Sequence, residues 1–136
     1  MAGGLDNAYA NKVLDATHDQ SGAAVRLATA PIRVRFMTAN GSDSAAGTEL
    51  ATSAGYTSGT GAPTVTFANA AGAGTSASNA AVTVTNMPAA TVVGVEQWDS
   101  SGTPQRTYWG PLTASKTTNL GDTLSIASGA LTNALA

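Results

Sequence analysis

The sequence predicts a mainly β domain, an antiparallel β-sandwich or flattened barrel of about seven short strands, preceded by one N-terminal helix. Three observations carry that expectation. Apolar and polar residues alternate through Ile32-Arg33-Val34-Arg35-Phe36, Val65 to Phe67, Val82 to Val84 and Leu124 to Ile126, the period of a half-buried strand. Clusters of Gly, Ser, Asn and Pro punctuate those runs. Helical spacing occurs in only one stretch, Leu5 to Ala16.

The elements follow in order. Leu5, Tyr9 and Val13 recur at i, i+4 and i+8, with Asp6 placed to suit the positive end of a helix and Ser21-Gly22 beyond its end. Val25 and Leu27 start an extended stretch that Pro31 interrupts, and Ile32 to Phe36 is the first clear strand. Asn40 to Gly61 reads as a polar loop with one short strand near Glu49 to Thr52. Ala68 to Asn79 is rich in Ala, Gly and Ser and reads as a second loop. Thr91 to Trp98 and Gln105 to Trp109 flank Asp99-Ser100-Ser101-Gly102 as a hairpin. Gly110-Pro111 reads as a turn into a polar loop, and Ser128-Gly129 turns into a last run, Ala130 to Leu135.

At 136 residues the chain fits one domain, 1–136, divided into the helix at 5–16 and a β-sandwich over 23–136. Apolar residues make up 43% of it, but alanine supplies much of that, so the core should be thin or completed against a partner. Only 10% of residues are charged, with a net charge of -2, which leaves no basic footprint for nucleic acid. No apolar run approaches the ~20 residues of a membrane span, and the first residues lack the pattern of a secretory signal. The absence of cysteine excludes disulfides, thiol nucleophiles and Cys-based zinc sites.

The residues offer little catalytic chemistry. His18, between Asp15 and Asp19, is the single histidine, and a metal site needs three or four convergent ligands. Asp43, Glu49, Asp99 and Asp122 lie mostly in turn sequences, where carboxylates stabilise local geometry. Glu96 falls in mid-strand near Trp98 and reads as a polar residue on an outer face. No Gly-x-Ser-x-Gly elbow occurs, and Gly59-Thr60-Gly61 and Gly72-Ala73-Gly74 lack the Lys-Ser/Thr tail of a phosphate loop. No catalytic residue, cofactor or metal is expected.

The remaining candidates concern core and contact. Ile32, Val34 and Phe36 should point inward. Arg33 and Arg35 share a strand face, with Arg26 nearby, and read equally as a solvated face or as a cationic stripe against an acidic neighbour. Strand alternation puts Tyr108 and Trp109 on opposite faces; Trp109 is expected in the core and Tyr108 at an interface. Leu5 and Tyr9 complete the candidate interface. Trp98, Tyr108 and Trp109 also suggest a sugar-stacking platform.

Trp109-Gly110-Pro111-Leu112-Thr113, then Gly121-Asp122-Thr123, then Ser128-Gly129-Ala130-Leu131 resembles the close of a family of small tailed-bacteriophage virion proteins, labelled head-decoration or tail-fibre proteins. NKVLD before IRVRFMTA, GTELATSAGYTSGTGAPTVTF, SNAAVTV and DSSGTPQRTYWGPLT extend the resemblance over nearly the whole chain. Thr57-Ser58 stands where the family often has Ala-Arg, and Ser115 where it often has Pro. The resemblance implies a structural virion protein with no catalytic residue, made in the cytoplasm of a host bacterium. The absence of repeats or a coiled coil turns the expectation toward a decoration protein on the capsid exterior. Its partners would then be the major capsid protein and copies of itself, expected as a trimer. The alternative is a tail-fibre, tail-tip or baseplate component contacting a host glycan.

Overall fold

The computed structural model describes residues 4–17, 28–70 and 74–134. In chain order the elements are β1 (Gly4–Leu5), α1 (Asn7–Thr17), β2 (Ile32–Ala39), β3 (Thr48–Glu49), a 3₁₀ turn (Gly59–Gly61), β4 (Thr64–Val65), β5 (Thr75–Ala77), β6 (Val82–Val84), β7 (Ala90–Trp98), β8 (Arg106–Thr118), β9 (Leu124–Ile126) and β10 (Thr132–Ala134). The main sheet runs β1-β8-β7-β2-β3, with β4 also on β2. Two smaller sheets, β10-β5 and β6-β9, complete an antiparallel, sandwich-like fold with no closed barrel.

The core lies where Val34 and Phe36 of β2 and Val92 and Val95 of β7 meet Val82, Val84, Leu124 and Leu131. Ile32 is partly buried against the same cluster. Tyr56 closes one end: its ring stacks on Phe36 at 5.4 Å and its hydroxyl accepts the Phe36 N–H at 3.2 Å. Val92 and Val95 both reach the core because the register with β8 is irregular between Val92 and Gly94, which breaks simple alternation. Gly94 has no room for a side chain: a Cβ would come within 1.9 Å of Asn40 Oδ1 and 2.8 Å of Gly110 O.

Several elements depart from their sequence expectation. Leu5 belongs to β1, paired with Tyr108, and the helix starts at Asn7, after Asp6 has accepted the Ala8 N–H at 2.9 Å. That bond satisfies a donor otherwise unpaired in the first helical turn. The hairpin forms over β7 and β8, but β8 continues through Gly110 and Pro111 to Thr118. Proline is tolerated there because β8 is outermost beyond its two residues of contact with β1, and an edge needs no ladder donor on its outer side. The expected extended stretch at Val25 and Leu27 lies outside the described residues, as do Ser21-Gly22, Gly72-Ala73 and Leu135.

The β7–β8 turn is held by one carboxylate. Asp99 is 5% exposed; its Oδ1 accepts the Gln105 N–H at 2.7 Å and the Ser101 hydroxyl at 2.9 Å, and its Oδ2 accepts the Thr29 N–H at 3.4 Å. Burial alone would raise the Asp99 pKa, but these hydrogen bonds outweigh it and hold the carboxyl below its ordinary value. A depressed native pKa contributes stability that is present above the unfolded value of about 3.9 and disappears as pH falls through the native one. Urea unfolding of the wild type should therefore show acid destabilisation below about pH 4 that is smaller in Asp99→Asn.

Candidate interaction surface

Pairing across the main sheet sorts its side chains onto two faces. Val34 pairs with Gln97 and Phe36 with Val95, while Gln97 and Val95 pair with Tyr108 and Gly110. That face carries the core. Arg33 and Arg35 pair with Trp98 and Glu96, and Glu96 pairs with Trp109. Trp109 is therefore on the opposite face, half-buried and outside the core cluster, which corrects the expectation that it fills the core. Its indole N–H donates to Asp43 Oδ1 at 2.9 Å. Tyr108 takes the core-side position, half-buried at the margin of the cluster.

The Trp109 face is organised around Arg106, a residue with no local sequence signal. A register irregularity between Gln97 and Trp98 leaves Thr107 unpaired and sets Arg106 opposite Trp98. The Arg106 side chain is 4% exposed. Its Nε and Nη2 reach Asp6 Oδ2 at 3.0 and 2.6 Å, Nη1 reaches Glu96 Oε1 at 2.9 Å and Ala45 O at 2.7 Å, and Nη2 also bonds Ser42 O at 2.5 Å. Those bonds match the five N–H donors of a guanidinium. Burial opposes the positive charge, yet the two carboxylates outweigh it and raise the Arg106 pKa above its ordinary value.

Glu96 is 1% exposed, contrary to its reading as an outward polar residue. It accepts the Gly47 N–H at 2.7 Å and the Trp98 indole N–H at 3.0 Å. The Arg35 guanidinium lies 4.1 Å over the Trp98 ring and 3.5 Å from Glu49. Glu49 accepts the Tyr56 hydroxyl at 2.8 Å. Burial, first, and that carboxylate raise the Tyr56 pKa well above the usual phenol range. Arg33 donates to Ala62 O at 3.0 Å. Arg33 and Arg35, which read equally as a solvated face or as a cationic stripe, thus have partners within the chain; Arg26 lies outside the described residues.

Three of the candidate contact residues converge at the same end of β8, on the core-side face. Leu5 pairs with Tyr108, and Tyr9 and Tyr108 line one cleft of about 270 Å³ with Ile32, Phe67, Gln97 and Asn133. Burial raises both phenol pKa values, and for Tyr9 the neighbouring Tyr108 and Asp99 add to it, so both hydroxyls are protonated at neutral pH. Gln97 and Asn133 exchange two amide hydrogen bonds at 2.8 and 2.9 Å. No described group of three or more His, Cys, Asp or Glu side chains could hold a metal ion; His18 and Asp19 lie outside the described residues, and Asp15 is exposed on α1.

Truncating one member of a buried ion pair strands the other's charge. Arg106→Met should lower stability by about 3–5 kcal/mol in urea unfolding, and adding Glu96→Gln should recover part of that loss. A double variant no more stable than the single one would show that the uncompensated Glu96 charge is not the cause.

The domain is held by internal ion pairs and hydrogen-bonded turns, and it presents a cleft built from both ends of the described chain. No curated protein matches it. Residues 4–134, which include every described element from β1 to β10, match the family described as "Podophage GP4 fiber I protein gp80", and the chain belongs to that family of phage structural proteins.

Proposed function

We propose that this chain is a non-enzymatic structural component of a podophage tail fibre. The observation that carries the reading is the fibre family's match over residues 4–134. The capsid-decoration role expected from the lack of repeats draws no support from that family's description. Fibre length need not come from this chain, because a compact module can be one part of a longer assembly.

The side chains support a structural role. Asp6, Glu49, Glu96 and Asp99 act as acceptors that hold turns, strand neighbours or the start of α1, and Asp122 caps its turn by accepting the Asn119 N–H at 2.7 Å. A carboxylate engaged in this way is poorly placed to exchange protons with a substrate. The virion is the expected location.

Cryo-electron microscopy of purified virions, compared with particles carrying an affinity-tagged copy labelled with gold, tests the proposal. Density and label on the tail fibres are the expected result. Label repeated over the capsid lattice would overturn the fibre reading in favour of decoration.

A further inference from the structure

We propose that the cleft between Tyr9 and Tyr108 binds an uncharged sugar ring. This reading gives the proposed fibre a ligand class and rests on the fibre assignment only for its biological setting. A sugar ring offers an apolar C–H face and a rim of hydroxyls, each both donor and acceptor. Its site therefore needs aromatic surface beside neutral, oriented polar groups.

The cleft supplies both. Tyr9, Phe67 and Tyr108 contribute three aromatic rings to its lining. Gln97, which is buried, fixes the orientation of the half-buried Asn133 through their paired amide bonds, and the Asn133 amide retains a second N–H and a further acceptor lone pair. The Tyr9 and Tyr108 hydroxyls have no hydrogen-bond partner among the described residues. Among the described residues no charged side chain lines the cleft, which suits an uncharged ligand.

Two other concavities lack this combination. The groove beside Leu112, Leu124 and Ile126 is predominantly apolar and has Lys116 on its lining. The hollow at Trp98 is lined by Asp6 and Arg106, whose charges already compensate each other.

The test is ¹H–¹⁵N NMR of the full chain titrated with D-glucose, D-galactose, N-acetylglucosamine and L-rhamnose up to about 50 mM, enough to load a site of millimolar affinity. At least one sugar should shift the Gln97 and Asn133 side-chain amides and the backbone amides of Tyr9 and Tyr108. Tyr9→Phe and Tyr108→Phe, which keep the rings, should each weaken binding by about two- to tenfold. Leu120→Ala, on an exposed turn outside the cleft, should leave it unchanged. No shift with any of the four sugars, shifts centred elsewhere, or binding that both tyrosine variants leave intact would overturn the proposal. A protein located on the fibre that fails this titration would lose the sugar site and keep its structural assignment.

Discussion

The fold depends on a single buried cation. Arg106 joins the residue before α1, the loop that contains Ser42 and Ala45, and the central strand β7. Burying a guanidinium is unfavourable unless its donors are met and its charge is balanced. Here two carboxylates and two carbonyls do both. The interaction extends beyond one ion pair, because Glu96 also holds Trp98, Arg35 stacks on Trp98 and faces Glu49, and Glu49 holds Tyr56. Tyr56 in turn accepts the Phe36 N–H in the core. A continuous set of contacts thus connects the N-terminal segment to the hydrophobic interior.

That arrangement gives the two sheet faces different physical jobs. One contributes Val34, Phe36 and Val95 to a modest apolar core. The other replaces apolar packing with ion pairs and indole contacts, which suits a chain in which alanine stands in for larger apolar residues. Docking the N-terminal segment through Asp6 and the β1–β8 pairing also brings Tyr9 beside Tyr108. The interaction that fixes the scaffold therefore positions one wall of the cleft. A framework in which distant segments share one buried charge holds the domain together without cysteine.

Local pattern in the sequence revealed what depends on neighbours in the chain. The alternation at Ile32 to Phe36, Val82 to Val84 and Leu124 to Ile126 marks β2, β6 and β9, and Asp99 to Gly102 marks the β7–β8 turn. Gly110-Pro111 was misleading because a turn dipeptide also fits an unpaired sheet edge. Alternation correctly separated Tyr108 from Trp109, but the core side depends on pairing with Gln97 and Glu96, which the sequence does not display. Arg106 was illegible for a related reason: Asp6, its partner, is 100 residues away, and only the completed sheet brings them together. The Tyr9–Tyr108 cleft likewise draws on residues from the helix, three strands of the main sheet or its margin, and β10. Of its members, Tyr9 and Tyr108 were visible as contact candidates, whereas the Gln97–Asn133 pair had no sequence signal.

Buried Arg106 couples the N-terminal segment to the sheet. Hydrogen–deuterium exchange of wild type and Arg106→Met tests it most directly. Exchange should accelerate over α1 and the loop at 41–47, while the amides of β2 and β7 that pair in the sheet interior stay comparatively protected. Unchanged protection of α1 in a folded Arg106→Met protein would contradict the account and show that β1 pairing alone holds the N-terminal segment in place.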